Sequence, residues 1–248
     1  MKRIARSALL VLLLFGLAVR AAYAVPTALQ LTDGAGDWVW VSDSAATQHN
    51  GNVFISSFVS AAGELILNVQ LGTAVDGVSD PNATWNLNVT TGVAPPFTGP
   101  ASAPKMDVNS IDNSTKADTL TIQFGAQNLG PTGATSFSAK IGGTADGSLL
   151  AQDFYDAANG LFTPGGATTG SVVATLGPFG PGAFSGSVAS SAIGGTAYTA
   201  TKVVTITHPG AGMTSFDFEN TVPEPSALVL LASGLAGFGY LRRRVFKR

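Results

Sequence analysis

The residues able to do chemistry are few, and their types narrow the reactions open to the chain. It has two histidines, His49 and His208, and no cysteine, so disulfides, thiolate metal sites and cysteine nucleophiles are excluded. His208 precedes Pro209-Gly210, and His49 lies in the polar run Gln48-His49-Asn50-Gly51. No G-x-S-x-G elbow accompanies them and no H-x-x-x-H spacing pairs them, so both read as strand-end and turn residues rather than as base or ligand. Carboxylates close in sequence (Asp33/Asp37, Asp76/Asp80, Asp153/Asp156, Asp217/Glu219) could hydrolyse a glycoside if their side chains faced one another. Asp217 and Glu219, two apart, fall on one face of a strand. The competing reading of such pairs is turn capping and solvation.

Two binding chemistries remain. Asp107, Asn109 and Asp112 concentrate oxygen ligands as a loop around calcium would, although they do not match the EF-hand spacing and also fit Asx-turn chemistry. Trp38 and Trp40 share one face of a strand, and with Trp85 they are candidate carbohydrate contacts. An exposed indole stacks on a sugar ring; a buried one fills a core. No other cofactor is expected. Three N-x-[ST] matches, beginning at Asn82, Asn88 and Asn113, carry no weight in so Ser/Thr/Asn-rich a chain.

The elements that must position these residues are strands. Period-2 alternation runs through 38–41, 53–59, 64–71, 85–89, 120–124, 136–141, 203–207 and 215–218, with Val, Ile, Thr, Phe and Trp between Gly, Asn, Asp and Pro turns. In residues 65–71, Leu65, Leu67, Val69 and Leu71 share a face. The fold class expected is all-β, an antiparallel sandwich or jelly-roll-like ectodomain over residues 25–221. One helical run is expected at 149–158, where Asp153-Phe154-Tyr155-Asp156 interrupts the alternation. Four prolines in residues 92–104 mark a surface loop.

Charge is segregated. Residues 25–222 hold four lysines against fourteen carboxylates, a net of −10, while the remaining basic residues sit at the two ends. Such a middle disfavours nucleic acid and anionic lipid. Lys2, Arg3 and Arg6 precede an apolar run from Ala8 to Val19 that closes on Ala22-Tyr23-Ala24, the pattern of a secretory signal peptide over residues 1–24, cut after Ala24. Export through the Sec machinery follows.

At the other end, Pro223-Glu224-Pro225 leads into an apolar stretch and then Arg242, Arg243 and Arg244, with Lys247 and Arg248 behind them. Pro225 suits a first helical turn, and a transmembrane helix over 226–241 would be about 24 Å long, short for a bilayer unless the flanking arginines snorkel. The basic cluster places that end on the cytoplasmic side.

The triplet, short helix and Arg-rich tail, in that order over 222–248, resemble the PEP-CTERM sorting signal. The resemblance implies recognition and processing near the triplet by an exosortase, in a Gram-negative, biofilm-forming bacterium that makes exopolysaccharide. It also implies an inner-membrane intermediate before delivery to the cell surface or matrix. The blocks at 33–43, 64–71, 118–124, 154–162, 203–208 and 215–217 more loosely resemble PEP-CTERM proteins with β-rich ectodomains of no assigned activity. The function expected is therefore a non-enzymatic surface or matrix protein with a structural or interaction role. An exopolysaccharide-binding module is the alternative, and a glycosidase the remotest reading.

Overall fold

The fold rests on a computed structural model that describes residues 25–222 apart from 44–46, 62, 97, 99–102, 131–135, 192, 194 and 195. The signal peptide with Ala22 and Ala24, the triplet Pro223, Glu224 and Pro225, the apolar helix, and Arg242, Arg243 and Arg244 lie outside the described residues.

Among the described residues, fourteen strands form two antiparallel sheets of seven strands each. In chain order they are β1 (Thr27–Asp33), β2 (Trp38–Ser42), β3 (Thr47–Asn50), β4 (Val53–Ala61), β5 (Glu64–Leu71), β6 (Trp85–Val93) and β7 (Lys105–Ser114). Then follow β8 (Asp118–Leu129), β9 (Ser138–Ala145), β10 (Ser148–Asp156), β11 (Ser171–Phe179), β12 (Gly182–Ala189), β13 (Tyr198–His208) and β14 (Gly212–Thr221). One sheet runs β11-β10-β13-β8-β1-β2-β3 and the other β12-β9-β14-β7-β6-β5-β4. The chain changes sheet at both edges, through the short β3–β4 and β11–β12 connections. No helix occurs among the described residues.

Alternation decides which side chains enter the core. Leu29 and Leu31 of β1, Leu120, Ile122 and Phe124 of β8, and Val204 and Ile206 of β13 point inward from the first sheet. Leu65, Leu67, Val69 and Leu71 of β5, Val108 of β7, and Phe216 and Phe218 of β14 meet them from the second. Removing this apolar surface from water at roughly 25 cal/mol per Å² is the main stabilising force in a chain without disulfides.

Two expectations are corrected. Residues 149–158 are not helical: β10 occupies Ser148–Asp156, with Leu149, Ala151 and Asp153 buried in strict alternation. The pattern was masked because an acid, Asp153, takes an inward position. Residues 107–113 are not a loop but the middle of β7, whose inward positions include Ser110, Asp112 and Ser114. Gly92 and Val93, placed in the expected loop, belong to β6, and residues 97 and 99–102 of that stretch lie outside the described residues.

Gly92 faces inward against the Phe124 ring, and a methyl group there would overlap the ring carbons. Gly92→Ala should lower the unfolding free energy by about 1–3 kcal/mol. Phe124→Leu in the same chain should recover part of that loss, giving a favourable coupling in a double-mutant cycle read by urea denaturation.

Candidate functional site

Trp38 and Trp40 project from the outer face of β2, as their spacing requires, while Val39 and Val41 between them are buried. Both indoles are only half-buried. Trp40 stands in register with Gln30 of β1, which stands in register with Gln123 of β8, so an indole and two amides form a row across three strands. Over this row lies the connection 157–170. The Gly165 N–H donates to Gln30 Oε1 (2.8 Å), and Gly165, at φ +68°, lies flat against the Trp38 indole. Phe162 of the same strap is buried beside Gly125. Asn159 fixes one end: its Oδ1 accepts the Asn128 N–H (2.9 Å), and its carbonyl accepts Gln127 Nε2 (2.6 Å). Among the described residues, Trp40 Nε1, Gln123 Oε1 and Thr201 Oγ1 on this face find no hydrogen-bond partner.

Trp85 does not belong with them. It is fully buried on the inner face of β6, donates from Nε1 to Asp118 Oδ2 (2.8 Å), and packs on His208 with ring centroids 5.0 Å apart. It cannot stack on a sugar from there, and its role is in the core.

The calcium candidates are separated by the same alternation. Asp107 and Asn109 point outward from β7, whereas Asp112 is fully buried between the sheets and takes a hydrogen bond from Ser110 Oγ. Side chains on opposite faces of one strand cannot close around one ion. No group of three His, Cys, Asp or Glu residues among the described residues is arranged to hold a metal.

Of the paired carboxylates, Asp33, Asp80 and Asp156 accept backbone N–H bonds in their own turns. Asp217 and Glu219 do share the outer face of β14, and β7 sets Asp107 beside them. Asp107 is raised to about 7, by burial first and then by the neighbouring Asp217. Glu219 is held low by Lys105, whose Nζ lies 2.8 Å away. This is a flat, ion-paired sheet surface. A shallow depression of about 410 Å³ next to it is lined by Asn109, Ile111, Gly142, Ser215 and Asp217.

The histidines stay apart. His49 is on the exposed β3, 3.6 Å from Asp76, while His208 is buried, with Nδ1 against Ser114 Oγ (2.6 Å) and Nε2 against Thr214 Oγ1 (2.7 Å). Burial lowers its pKa, so it serves as a neutral bridge between two hydroxyls.

A further polar group escaped the sequence reading. Lys202 of β13 and Asp153 of β10 are register partners, both buried, with Nζ donating to Asp153 Oδ1 (3.2 Å). Asn220 of β14 reaches across from the opposite sheet and donates from Nδ2 to the same oxygen (3.1 Å). The available signal was a lysine immediately before Val203-Val204 and an acid within β10, each breaking an otherwise apolar inward row.

At its C-terminal end the described chain runs out along β14, a central strand, and residues 221–244 match the family model of the PEP-CTERM protein-sorting motif. The chain carries a PEP-CTERM sorting motif. The motif implies export, surface association in a Gram-negative bacterium and an exosortase as processing partner. It begins at Thr221, the last residue of β14, so nothing separates it from the folded sheet.

No curated protein matches the chain. Among solved structures it is similar to the enzymatically active domain of bacteriophage CBA120 tailspike protein 4, at 10% identity and a TM-score of 0.33 over 56% of this chain and 19% of that one. It is also similar to TmCBM61 in complex with β-1,4-galactotriose, at 7% identity and TM-score 0.31, over 57% of this chain and 90% of that one. The K1 cleaved adhesin domain of Lys-gingipain from Porphyromonas gingivalis W83 aligns at 12% identity and TM-score 0.30, over 71% of this chain and 99% of that one. The chain thus spans about a fifth of the tailspike domain's length. Likenesses this distant carry no argument about activity.

Asp112 supplies a pH test. Burial raises its pKa from 3.8 to about 7, against the opposing Ser110 hydrogen bond. Between these values the folded state holds a proton that the unfolded chain releases, so this group's contribution to stability is present at acid pH and is lost as pH rises through 7. Asp112→Asn should therefore leave stability near wild type at pH 4 and raise it by roughly 2–4 kcal/mol at pH 8, measured by urea denaturation at both pH values.

Proposed function

We propose that the protein is exported, held at the inner membrane by its C-terminal segment, processed there by an exosortase and delivered to the cell surface or matrix as a β-sandwich. In this reading the sandwich has a structural or interaction role and is not an enzyme. The observation that carries it is the sorting motif at 221–244, joined without a spacer to a central strand. The ectodomain fits the role: it carries a net −10 and is free of cysteine. Asp33, Asp80 and Asp156 accept backbone N–H bonds in their own turns, Asp153 pairs with Lys202, and Glu219 pairs with Lys105.

Exopolysaccharide binding is the second reading. Trp38 and Trp40 favour it, since they share a half-buried outer face and are continued by the amides of Gln30 and Gln123. An indole beside hydrogen-bonding amides suits a hydroxyl-rich ring. The strap at 157–170 lies across that face, so a glycan would dock against its border or displace it.

Replacing Pro223, Glu224 and Pro225 with alanine, the apolar stretch and arginines kept, should leave full-length protein in the inner-membrane fraction. Unchanged processing and surface delivery, followed by immunoblotting of cell fractions, would overturn the sorting reading. Trp40→Ala should abolish retention on the producing organism's exopolysaccharide in affinity electrophoresis while circular dichroism stays native. Undiminished retention of the variant would remove Trp40 from the binding face, and no retention of the wild type would leave the protein as a structural component.

A further inference from the structure

We infer that Lys202 and Asn220 become joined by an intramolecular amide bond formed autocatalytically inside the sandwich, with Asp153 as the proton carrier. The three side chains are at most 3% exposed and come from three strands, with Lys202 and Asp153 in one sheet and Asn220 in the other. Asp153 Oδ1 accepts from Lys202 Nζ at 3.2 Å and from Asn220 Nδ2 at 3.1 Å, so the nucleophile and the leaving group share one carboxylate oxygen. Asp153 Oδ2, also buried, has no hydrogen-bond partner among the described residues. Asn220 Oδ1 accepts the Met106 N–H at 3.2 Å, which polarises the amide carbon and would hold an oxyanion formed there. The Phe218 ring centroid lies 3.6 Å from Nζ and helps to exclude water, whose attack would yield only a free acid.

The step balances without an outside reagent. Asp153 takes a proton from the lysine ammonium, and the freed Nζ lone pair attacks Asn220 Cγ. A C–N bond forms, and the carbonyl electrons move to Oδ1 beside the Met106 N–H. Asp153 returns that proton to Nδ2, the Cγ–Nδ2 bond breaks and ammonia leaves, while the second proton on Nζ passes through Asp153 to the departing ammonia, which exits as ammonium. The product is one amide, with no change in oxidation state. Burial acts first on both ionisable partners, lowering Lys202 and raising Asp153, which favours the neutral amine and acid over the ion pair.

Such a bond would tie β13 of one sheet to β14 of the other, immediately before the sorting motif at 221. Tension on the C-terminal segment would then pass to β13, between β10 and β8, rather than peel β14 from its neighbours. In a chain without cysteine it would be a covalent link between the sheets.

Mass spectrometry of the purified full chain decides the matter. A Glu-specific protease cuts after Glu219, between the two linked residues, while the Glu224–Pro225 bond resists it, so the C-terminal fragment begins at Asn220. That fragment should remain attached to the one containing Lys202, lighter than the pair by one ammonia. Recovery of a free fragment beginning at Asn220 and unmodified Lys202 would overturn the proposal. A loss of water with the link on Asp153 would overturn it as well. Asn220→Asp should keep the link but lose water in place of ammonia. Asp153→Asn, where circular dichroism shows it folded, should leave the peptides separate; a link formed as in wild type would remove Asp153 from the reaction.

Discussion

A lysine ammonium cannot enter the interior of an apolar sandwich unless its charge is met or given up, and the packing around Lys202 follows from that constraint. Desolvating an isolated charge costs several kcal/mol, so an inward lysine on β13 requires an acid within hydrogen-bond reach. Asp153 supplies it from the neighbouring strand in exact register, and Asn220 completes the group from the facing sheet. The set therefore fixes two relationships that apolar packing leaves loose. A one-residue slip of β10 against β13 would move Asp153 to the outer face and leave the lysine unpaired. A shift of one sheet over the other would withdraw Asn220. Replacing the pair by apolar residues of similar volume could conserve stability, so its contribution lies in register and sheet alignment, and in the reactivity that enclosure confers.

The same feature explains where the sequence was legible. Strands with apolar inward rows, such as β5 with Leu65, Leu67, Val69 and Leu71, declare themselves by alternation and were placed correctly. The strands that were misread carry their polar residues inward. In β10 it is Asp153; in β7 it is Ser110, Asp112 and Ser114, which turned a buried strand into an apparent Asn/Asp loop. Periodicity reports a face only when that face is uniform in polarity. The site residues divide the same way. The shared face of Trp38 and Trp40 could be read from their spacing, whereas the burial of Trp85 depended on Asp118 and His208, distant in sequence and unpredictable from it.

Polar atoms in this core are also arranged by strand pairing rather than scattered. His208 bridges Ser114 of β7 and Thr214 of β14, and Trp85 lies against its ring. The Lys202 group lies six residues along the same strand, and its hydrogen bond to the opposite sheet runs from Asn220 to Asp153, the register partner of Lys202 on β10. Each ties a strand of the first sheet to β14. Dispersion and apolar burial hold two sheets together at many relative positions, and directional hydrogen bonds choose among them.

That concentration on β14 has a mechanical sense. β14 is the strand on which the sorting motif begins, at Thr221, and any load on the C-terminal segment enters the fold through it. Its own neighbours, β7 and β9, hold it by register-matched hydrogen bonds along its whole length. Pulled from one end, such a ladder opens one rung at a time, and the rung nearest the pull opens first. Asn220 is adjacent to that end, and its contact crosses to the other sheet instead of running along the ladder. Placing the inter-sheet contact there transfers load into the core before the ladder can unzip, which neither apolar packing nor the outer-face ion pairs of Glu219 and Lys105 can do.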